Sequence, residues 1–476
     1  MQITDLEPKA LWHYFHALTQ IPRPSHHEEA VQAYILETAK ALGLEAKRDE
    51  VGNIVVRKAA SKGKEQQAGV ILQAHLDMVP QKNNDKIHDF TKDPIKTVIK
   101  GDWVYADGTT LGADNGLGVA AMLAVLADNT LEHPPLEALF TATEEVGMDG
   151  AKGLKGGFLQ GKYLINLDYE EEGELCIGCA GGLDASFAVP YGIQYQTLPT
   201  FRLEVKGLKG GHSGVDIHKG RGNALKILAE SLVKLKMSQL LLIEGGNLRN
   251  AIPREATASF SSNLTLAEQQ SALARLESEL KRVLPPEEQG LKLSVYQETS
   301  DEQAWLSVED SQRCLNFIRA LPNGVDRMSA QMEDLVETST NLAAVTFAGS
   351  EMQAHCLLRS SDNQRRNDLA SRMESVVKLA GGRVEFSGDY NGWQPMPESD
   401  LVRVMAQTGK DIYGTQPPLK AIHAGLECGI LSTHYPHWEM VAFGPTIESP
   451  HSPDERAHIE STKRFYFWLT KALSQL

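Results

Sequence analysis

The chain has 476 residues, of which 42% are hydrophobic and 23% charged, with a formal net charge of -15. The length points to two domains rather than one core, and the composition is that of an ordinary globular protein. The acidic balance counts against non-specific nucleic-acid binding, which needs a positive surface, and suits attraction of divalent cations. The N-terminal stretch MQITDLEPKALWHYF lacks a basic segment followed by an apolar one, so no secretory signal is expected. No run approaches the ~18 apolar residues of a membrane helix. Five cysteines, an odd number in a long chain, fit a reducing, cytoplasmic setting. Cys176 and Cys179 are spaced C-x-x-C, but no second pair follows at suitable spacing, so they read as packed thiols.

In chain order, Ser25 and Glu28 form an S-x-x-E pattern that predicts a capping box. The helix it opens carries Val31, Ile35, Ala39 and Leu42 at helical spacing, and Gly43 stops it. Apolar strands are predicted at 54–56, 70–74, 136–140 and 164–167. The helix over 117–126 is apolar nearly all round and should be buried. This alternation indicates an α/β domain with a mixed sheet and helices on both faces. From about 187 the texture changes. Half-polar strands at 201–205, 256–264 and 352–359 alternate with amphipathic helices near 223–235, 267–284 and 362–379. That pattern predicts an α+β domain with an antiparallel sheet. The order strand, helix, strand, strand, helix, strand runs about twice there, a faint internal duplication. The stretch YNGWQPMP at 390–397 reads as a connector, after which the first texture returns. The expected layout is a catalytic domain of 1–186 and 391–476 with an inserted lid of 187–390.

Candidate ligands fall where strands stop. His75 and Asp77 form an H-x-D pair at the end of the second apolar strand. In a continuing strand they would share a face, and Asp77 could fix the His75 tautomer by accepting from its other ring nitrogen. Asp114 lies in GADNG before a helix, where it could serve as a cap or bridge two cations. Glu144 and Glu145 are adjacent and so cannot share one orientation, which suits two jobs: one binding metal, the other taking a proton. Asp168 ends another apolar strand, whereas Glu170, Glu171 and Glu172 read as a solvated acidic turn. His451 lies far downstream in GPTIESPHSP. Ligands at the ends of separate strands converge on the crevice where open α/β sheets bind. Mixed histidine and carboxylate donors without cysteine favour zinc, manganese or cobalt.

The segments QAHLDMVPQKNND, TTLGADNGLG, TEEVGMDGA, KGLKGGHSG, LRNAIPRE, HAGLECG and GPTIESPHSPDE resemble the aminoacyl-histidine (Xaa-His) dipeptidases, within the metallopeptidases that include aminoacylases, glutamate-releasing carboxypeptidases and carnosinases. The resemblance runs from near residue 10 to near residue 470. It implies two divalent ions, zinc foremost with cobalt or manganese as alternatives. His75 and Asp168 would bind one and Glu145 and His451 the other, with Asp114 bridging. Asp77 would orient His75, and Glu144 would be the general base that helps a metal-bridged hydroxide attack the peptide carbonyl. A cis peptide is implied at Asp114–Asn115. His212 in GGHSG is the candidate oxyanion donor.

The substrate's free carboxylate needs a cation or amides. Arg359, at a lid strand end, leads for that task, with Asn250 nearby in LRNAIP; a surface charge is the plainer reading of Arg359. Backbone amides of Gly425 to Gly429 could also face substrate, and Glu427 could read an amine or simply be solvated. His26, His27, His88, His218, His434 and His437 read as surface residues, and His423 and His458 stay unassigned. The expected reaction is hydrolysis of dipeptides, Xaa-His foremost. A broader di- or tripeptidase, an N-acyl amino acid hydrolase and an inactive metal-binding scaffold are the alternatives. A small peptide is the expected partner, with no nucleic acid and no membrane, and a homodimer is carried as an expectation. The sequence leaves open whether His212 acts in its own subunit.

Overall fold

The computed structural model describes residues 2–83, 85–299 and 301–476. The chain divides into two compact units: Met1–Cys179 with Trp393–Ala421 and Leu426–Leu476, and Ala180–Gly392 with Ile422–Gly425. A boundary at 187 would cut the strand Gly181–Pro190, which pairs with two strands of the second unit, Glu351–Ser360 and Arg383–Tyr390. The four residues 422–425 also group with the second unit, a return that sequence texture does not signal.

The first unit is built on an eight-stranded sheet. Its order is Glu45–Arg48, Ile54–Lys58, Leu136–Thr141, Val70–His75, Tyr163–Asn166, Glu439–Ala442, Leu175–Cys179 and Leu419–Ile422. The inner strands Leu136–Thr141, Val70–His75, Tyr163–Asn166 and Glu439–Ala442 are parallel. Val70–His75 and Leu136–Thr141 are buried throughout, as central parallel strands must be, which is why they read as unbroken apolar runs. The helix Ala113–Ala127 packs against Val70–His75 and is buried at nearly every position, as its all-round apolar sequence requires. A small antiparallel sheet runs Ile447–Glu448, Arg456–His458, Trp103–Ala106, Thr97–Lys100.

The second unit holds an antiparallel sheet ordered Lys292–Gln297, Phe201–Lys206, Ala256–Ser262, Met237–Gly245, Val336–Ala348, Glu351–Ser360, Gly181–Pro190, Arg383–Tyr390, with Gly324–Met328 pairing to Val336–Ala348. Phe201–Lys206 alternates buried and less buried residues, the mark of a sheet with one covered face. Its core includes Phe187, Phe201, Phe260 and Phe317. The duplication is present with one rearrangement. One copy is contiguous: Phe201–Lys206, Ala224–Lys234, Met237–Gly245, Ala256–Ser262, Leu266–Val283, Lys292–Gln297. The other takes its first strand, Gly181–Pro190, from before that copy. It then continues with the helix Val308–Ala320, the strands Val336–Ala348 and Glu351–Ser360, the helix Asn363–Leu379 and the strand Arg383–Tyr390. The two copies meet as mirror-ordered halves through Met237–Gly245 and Val336–Ala348, paired at Gly245 and Val345.

The S-x-x-E capping box does not form. The helix begins at Glu29 with Glu28 at the N-cap, but neither the Ser25 nor the Glu28 side chain bonds to its first turn. Ser25 Oγ instead donates to Asp77 Oδ2 (2.8 Å), and Glu28 Oε1 accepts from the amide and hydroxyl of Thr143 (3.0 and 2.7 Å). Gly43 does follow the helix end, at φ 70°.

Candidate metal centre

Strand ends of the first unit bring His75, Asp77, Asp114, Glu144, Glu145, Asp168 and His451 together. The strand Val70–His75 stops at His75, although Leu76 N still donates to Thr141 O (2.8 Å). His75 Nε2 lies 2.9 Å from Asp114 Oδ1 and 3.4 Å from Asp168 Oδ1. His451 Nε2 lies 3.2 Å from Asp114 Oδ2 and 2.9 Å from Glu145 Oε2. Asp114 thus offers one oxygen to each histidine. The triads His75, Asp114, Asp168 and Asp114, Glu145, His451 each present three donor atoms within 4.8 Å of one another, as does His75, Glu144, Glu145.

These donors fit a pair of divalent ions. Asp114 is common to two triads, the set mixes imidazole with carboxylate, and Glu145 Oε1 is buried with no hydrogen-bond partner. His75 and Asp168 with Asp114 would hold one ion, and Glu145 and His451 with Asp114 the other.

Asp114 does not act as a helix cap: Gly112 holds the N-cap position at φ 68°, and Asp114 and Asn115 lie outside helical geometry. The Asp114–Asn115 peptide is cis, and Asn115 Nδ2 donates to Asp168 Oδ1 (2.6 Å). A Cβ on Gly112 would stand 2.7 Å from Arg23 Nη2 and 2.8 Å from Met78 sulfur, so a side chain has no room there.

Asp77 is fully buried and serves several neighbours. His75 Nδ1 lies 3.3 Å from its Oδ1, and the backbone amides of Glu144 (2.9 Å) and Glu145 (3.2 Å) donate to its two oxygens. Burial would raise the Asp77 carboxyl, but the His75 ring, the Glu144 amide and the Ser25 hydroxyl outweigh it and hold the group well below its usual range. Glu144 is pushed well above its ordinary value, first by burial; Asp168, Glu427 and Glu145 act in the same direction, against His75. Hydrogen bonds to the Asp114 and Glu145 carboxylates raise His451 to about 11 in the metal-free protein.

Some expectations need correction. Glu170 is not solvated: burial, with Asp114, Asp168 and Glu455 nearby, pushes it up to about 9. Glu172 pairs with Arg464, and only Glu171 of that trio is exposed. Glu427 is not solvated either. It is buried, Oε2 accepting from Gln73 Nε2 (2.6 Å) and Thr141 Oγ1 (2.7 Å), while Oε1 has no partner. Arg359, the leading candidate for the substrate carboxylate, is 5% exposed, which removes the alternative of a surface charge; its Nη1 donates to Tyr390 OH (3.2 Å) and its Nε is buried and unpartnered. Cys176 and Cys179 are buried thiols outside any disulfide, as is Cys428.

The remaining substrate candidates lie in the second unit. His212 Nδ1 accepts from the amides of Gly214 (3.1 Å) and Val215 (3.2 Å), which leaves the ring hydrogen on Nε2. Burial and the nearby Arg359 lower its pKa. Asn250 is exposed, and its carbonyl accepts from Ser213 N (2.7 Å), which ties it to the residue after His212. Gly425 is half-buried in the 422–425 segment. His423 is buried with Nε2 2.7 Å from Ser339 Oγ, and His458 caps the helix Ile459–Gln475.

Sequence reading missed the supports around the ligands: Arg23, Ser25, Glu28, Asn115 and Glu455. Arg23 is buried and donates to the carbonyls of Leu76, Asp77 (both 2.8 Å) and Gly112 (2.5 Å), joining two ligand loops. The run R-P-S-x-x-E at 23–28 was the available signal, but its spacing also fits a local capping box.

A family model described as Peptidase family M20/M25/M40 matches residues 71–475. The cytosol non-specific dipeptidase of Escherichia coli (strain K12) is 46% identical over 486 aligned positions, covering 100% of this chain and 99% of that protein. The crystal structure of aminoacylhistidine dipeptidase from Vibrio alginolyticus has 43% identity and a TM-score of 0.91, covering 100% of this chain and 98% of that one. A tripeptidase from Staphylococcus aureus shares the fold at a TM-score of 0.62 and 17% identity, covering 99% and 98%.

Proposed function

Because the chain belongs to peptidase family M20/M25/M40, we propose that it is a cytoplasmic dipeptidase that works with two divalent ions, zinc foremost, and accepts Xaa-His dipeptides among its substrates. The observation that carries this reading is Asp114, with one carboxylate oxygen turned to His75 and the other to His451. The bound ions would supply Lewis acidity and acidify a water.

The chain's own groups do the rest. Glu144 takes the proton from the attacking water and returns it to the leaving amine. Asp77 holds its backbone amide in place, and burial raises its affinity for that proton. His212, with Nδ1 engaged by two amides, keeps an Nε2 hydrogen for the carbonyl oxygen as charge develops there. Arg359, with its unpartnered Nε, is assigned the substrate carboxylate, with Asn250 and the amide of Gly425 as further donors. Glu427, sealed from solvent and gripped by Gln73 and Thr141, supports the strands beneath the ligands rather than meeting a substrate amine. The homodimer rests on the family resemblance alone.

The test is turnover of a substrate panel by zinc-loaded protein: Xaa-His dipeptides, other dipeptides, tripeptides and N-acyl amino acids. Dipeptides with both termini free should be cleaved and N-acyl amino acids left intact. The Glu144→Gln variant should keep its zinc and lose about 10²–10⁴-fold in kcat. Normal turnover by that variant, or no hydrolysis of any dipeptide, would sink the assignment.

A further inference from the structure

Glu455 touches no substrate candidate and supplies no donor atom to any of the three triads. It is nonetheless 2% exposed and makes an unusual set of bonds. Its Oε2 accepts from the amides of Leu111 (2.7 Å) and Gly112 (3.0 Å), and its Oε1 from those of Ala113 (2.7 Å) and Asp114 (3.2 Å). The four amides are consecutive, and the last belongs to the residue that faces both histidines.

Helices usually satisfy their first amides with a local side chain. Here Gly112 stands at the N-cap, and no side chain fits at that position beside Arg23 and Met78. The carboxylate therefore comes from a residue 341 positions away, four after His451. The two segments share an anchor. The His451 loop spans 449–455, leaving Ile447–Glu448 and returning in Arg456–His458. Arg456–His458 pairs with Trp103–Ala106, the strand that leads towards Asp114. Within the loop, Ser449 and His451 hold φ at 55° and 59°, a region disfavoured for residues with a Cβ, so the loop needs support from outside itself.

We propose that Glu455 is a positioning residue of the metal centre, which by binding the amides of residues 111–114 sets the spacing between Asp114 and His451 before any ion arrives. This rests on the dinuclear reading above. A glutamine at 455 keeps the size but not the bonding. Its amide nitrogen cannot accept, so backbone donors are left facing another donor.

The experiment is calorimetric titration of zinc into chelator-treated wild type and the Glu455→Gln variant, with kcat and KM measured across zinc concentrations. Wild type should take up two ions. The variant should bind zinc about 10–100-fold more weakly, and excess zinc should return kcat with KM unchanged. Equal zinc affinity in the two proteins overturns the proposal while leaving the dinuclear reading intact. A wild type that binds no divalent ion defeats the dinuclear reading and the proposal with it. A second measurement needs no variant and decides the matter should Glu455→Gln not fold. In metal-free wild type, hydrogen exchange at 111–114 should already be slow. Fast exchange there that slows only on adding zinc would overturn the proposal.

Discussion

Asp77 is placed to do more than orient one histidine. Two backbone amides, one hydroxyl and the His75 ring all turn to its carboxylate. Asp77→Asn replaces one acceptor oxygen with a donor, so both the His75 tautomer and the Glu144–Glu145 turn lose definition. Zinc affinity should fall about 10–100-fold, read by calorimetry. Ser25→Ala removes only one of these bonds and should cost about 1 kcal/mol in denaturant unfolding with a few-fold loss of kcat. His451 gives a signed pH dependence. Its pKa near 11 in the metal-free protein means that it is protonated throughout the working range, while a metal ligand must be deprotonated. Metal loading must therefore release a proton, and affinity should rise by about tenfold per pH unit between neutral and mildly alkaline conditions. A flat affinity over that range would contradict the His451 assignment.

At the scale of elements, the helix Ala113–Ala127 shows how tightly the ligand loops are built. A Cβ on Gly118 would stand 2.1 Å from Asn115 Oδ1 and 2.9 Å from the carbonyl of Leu167. Gly118→Ala should displace Asn115, release its bond to Asp168, and lower stability by about 1–3 kcal/mol, with zinc affinity falling alongside; thermal melts with and without zinc would read both. The candidate ligands that the structure brings together, and the strands that lead to His75, Glu144, Glu145 and Asp168, were legible in the sequence. A short apolar run that stops at a histidine or carboxylate puts a polar donor at the end of a buried strand, where a bound cation offsets the cost of burial. Their supports were not legible. Ser25 and Glu28 match a local cap by spacing, yet their partners are Asp77 and Thr143, and Glu455 reaches across 341 positions. Local patterns describe neighbours along the chain, whereas a buried side chain bonds whatever packing brings to it. Gly181–Pro190 was misplaced for a related reason: strand texture does not tell which sheet a strand joins.

At the scale of the whole molecule, every candidate metal ligand belongs to the first unit, and the substrate candidates His212, Asn250, Arg359 and Gly425 belong to the second. Zinc should therefore slow hydrogen exchange mainly in peptides of the first unit, with the antiparallel sheet of the second little changed; ligand binding stabilises what it binds, by about 2.7 kcal/mol at a hundredfold excess over Kd. Uniform protection of both units would argue against this division. No helix among the described residues is long and apolar enough to cross a membrane.

The placement of Glu439–Ala442 between Tyr163–Asn166 and Leu175–Cys179 has a consequence for synthesis. During translation the central sheet waits with a gap until residues beyond 442 have cleared the ribosome, and His451 follows shortly after. The contiguous half of the antiparallel sheet can mature first, so a nascent chain acquires that framework well before its candidate metal ligands can converge.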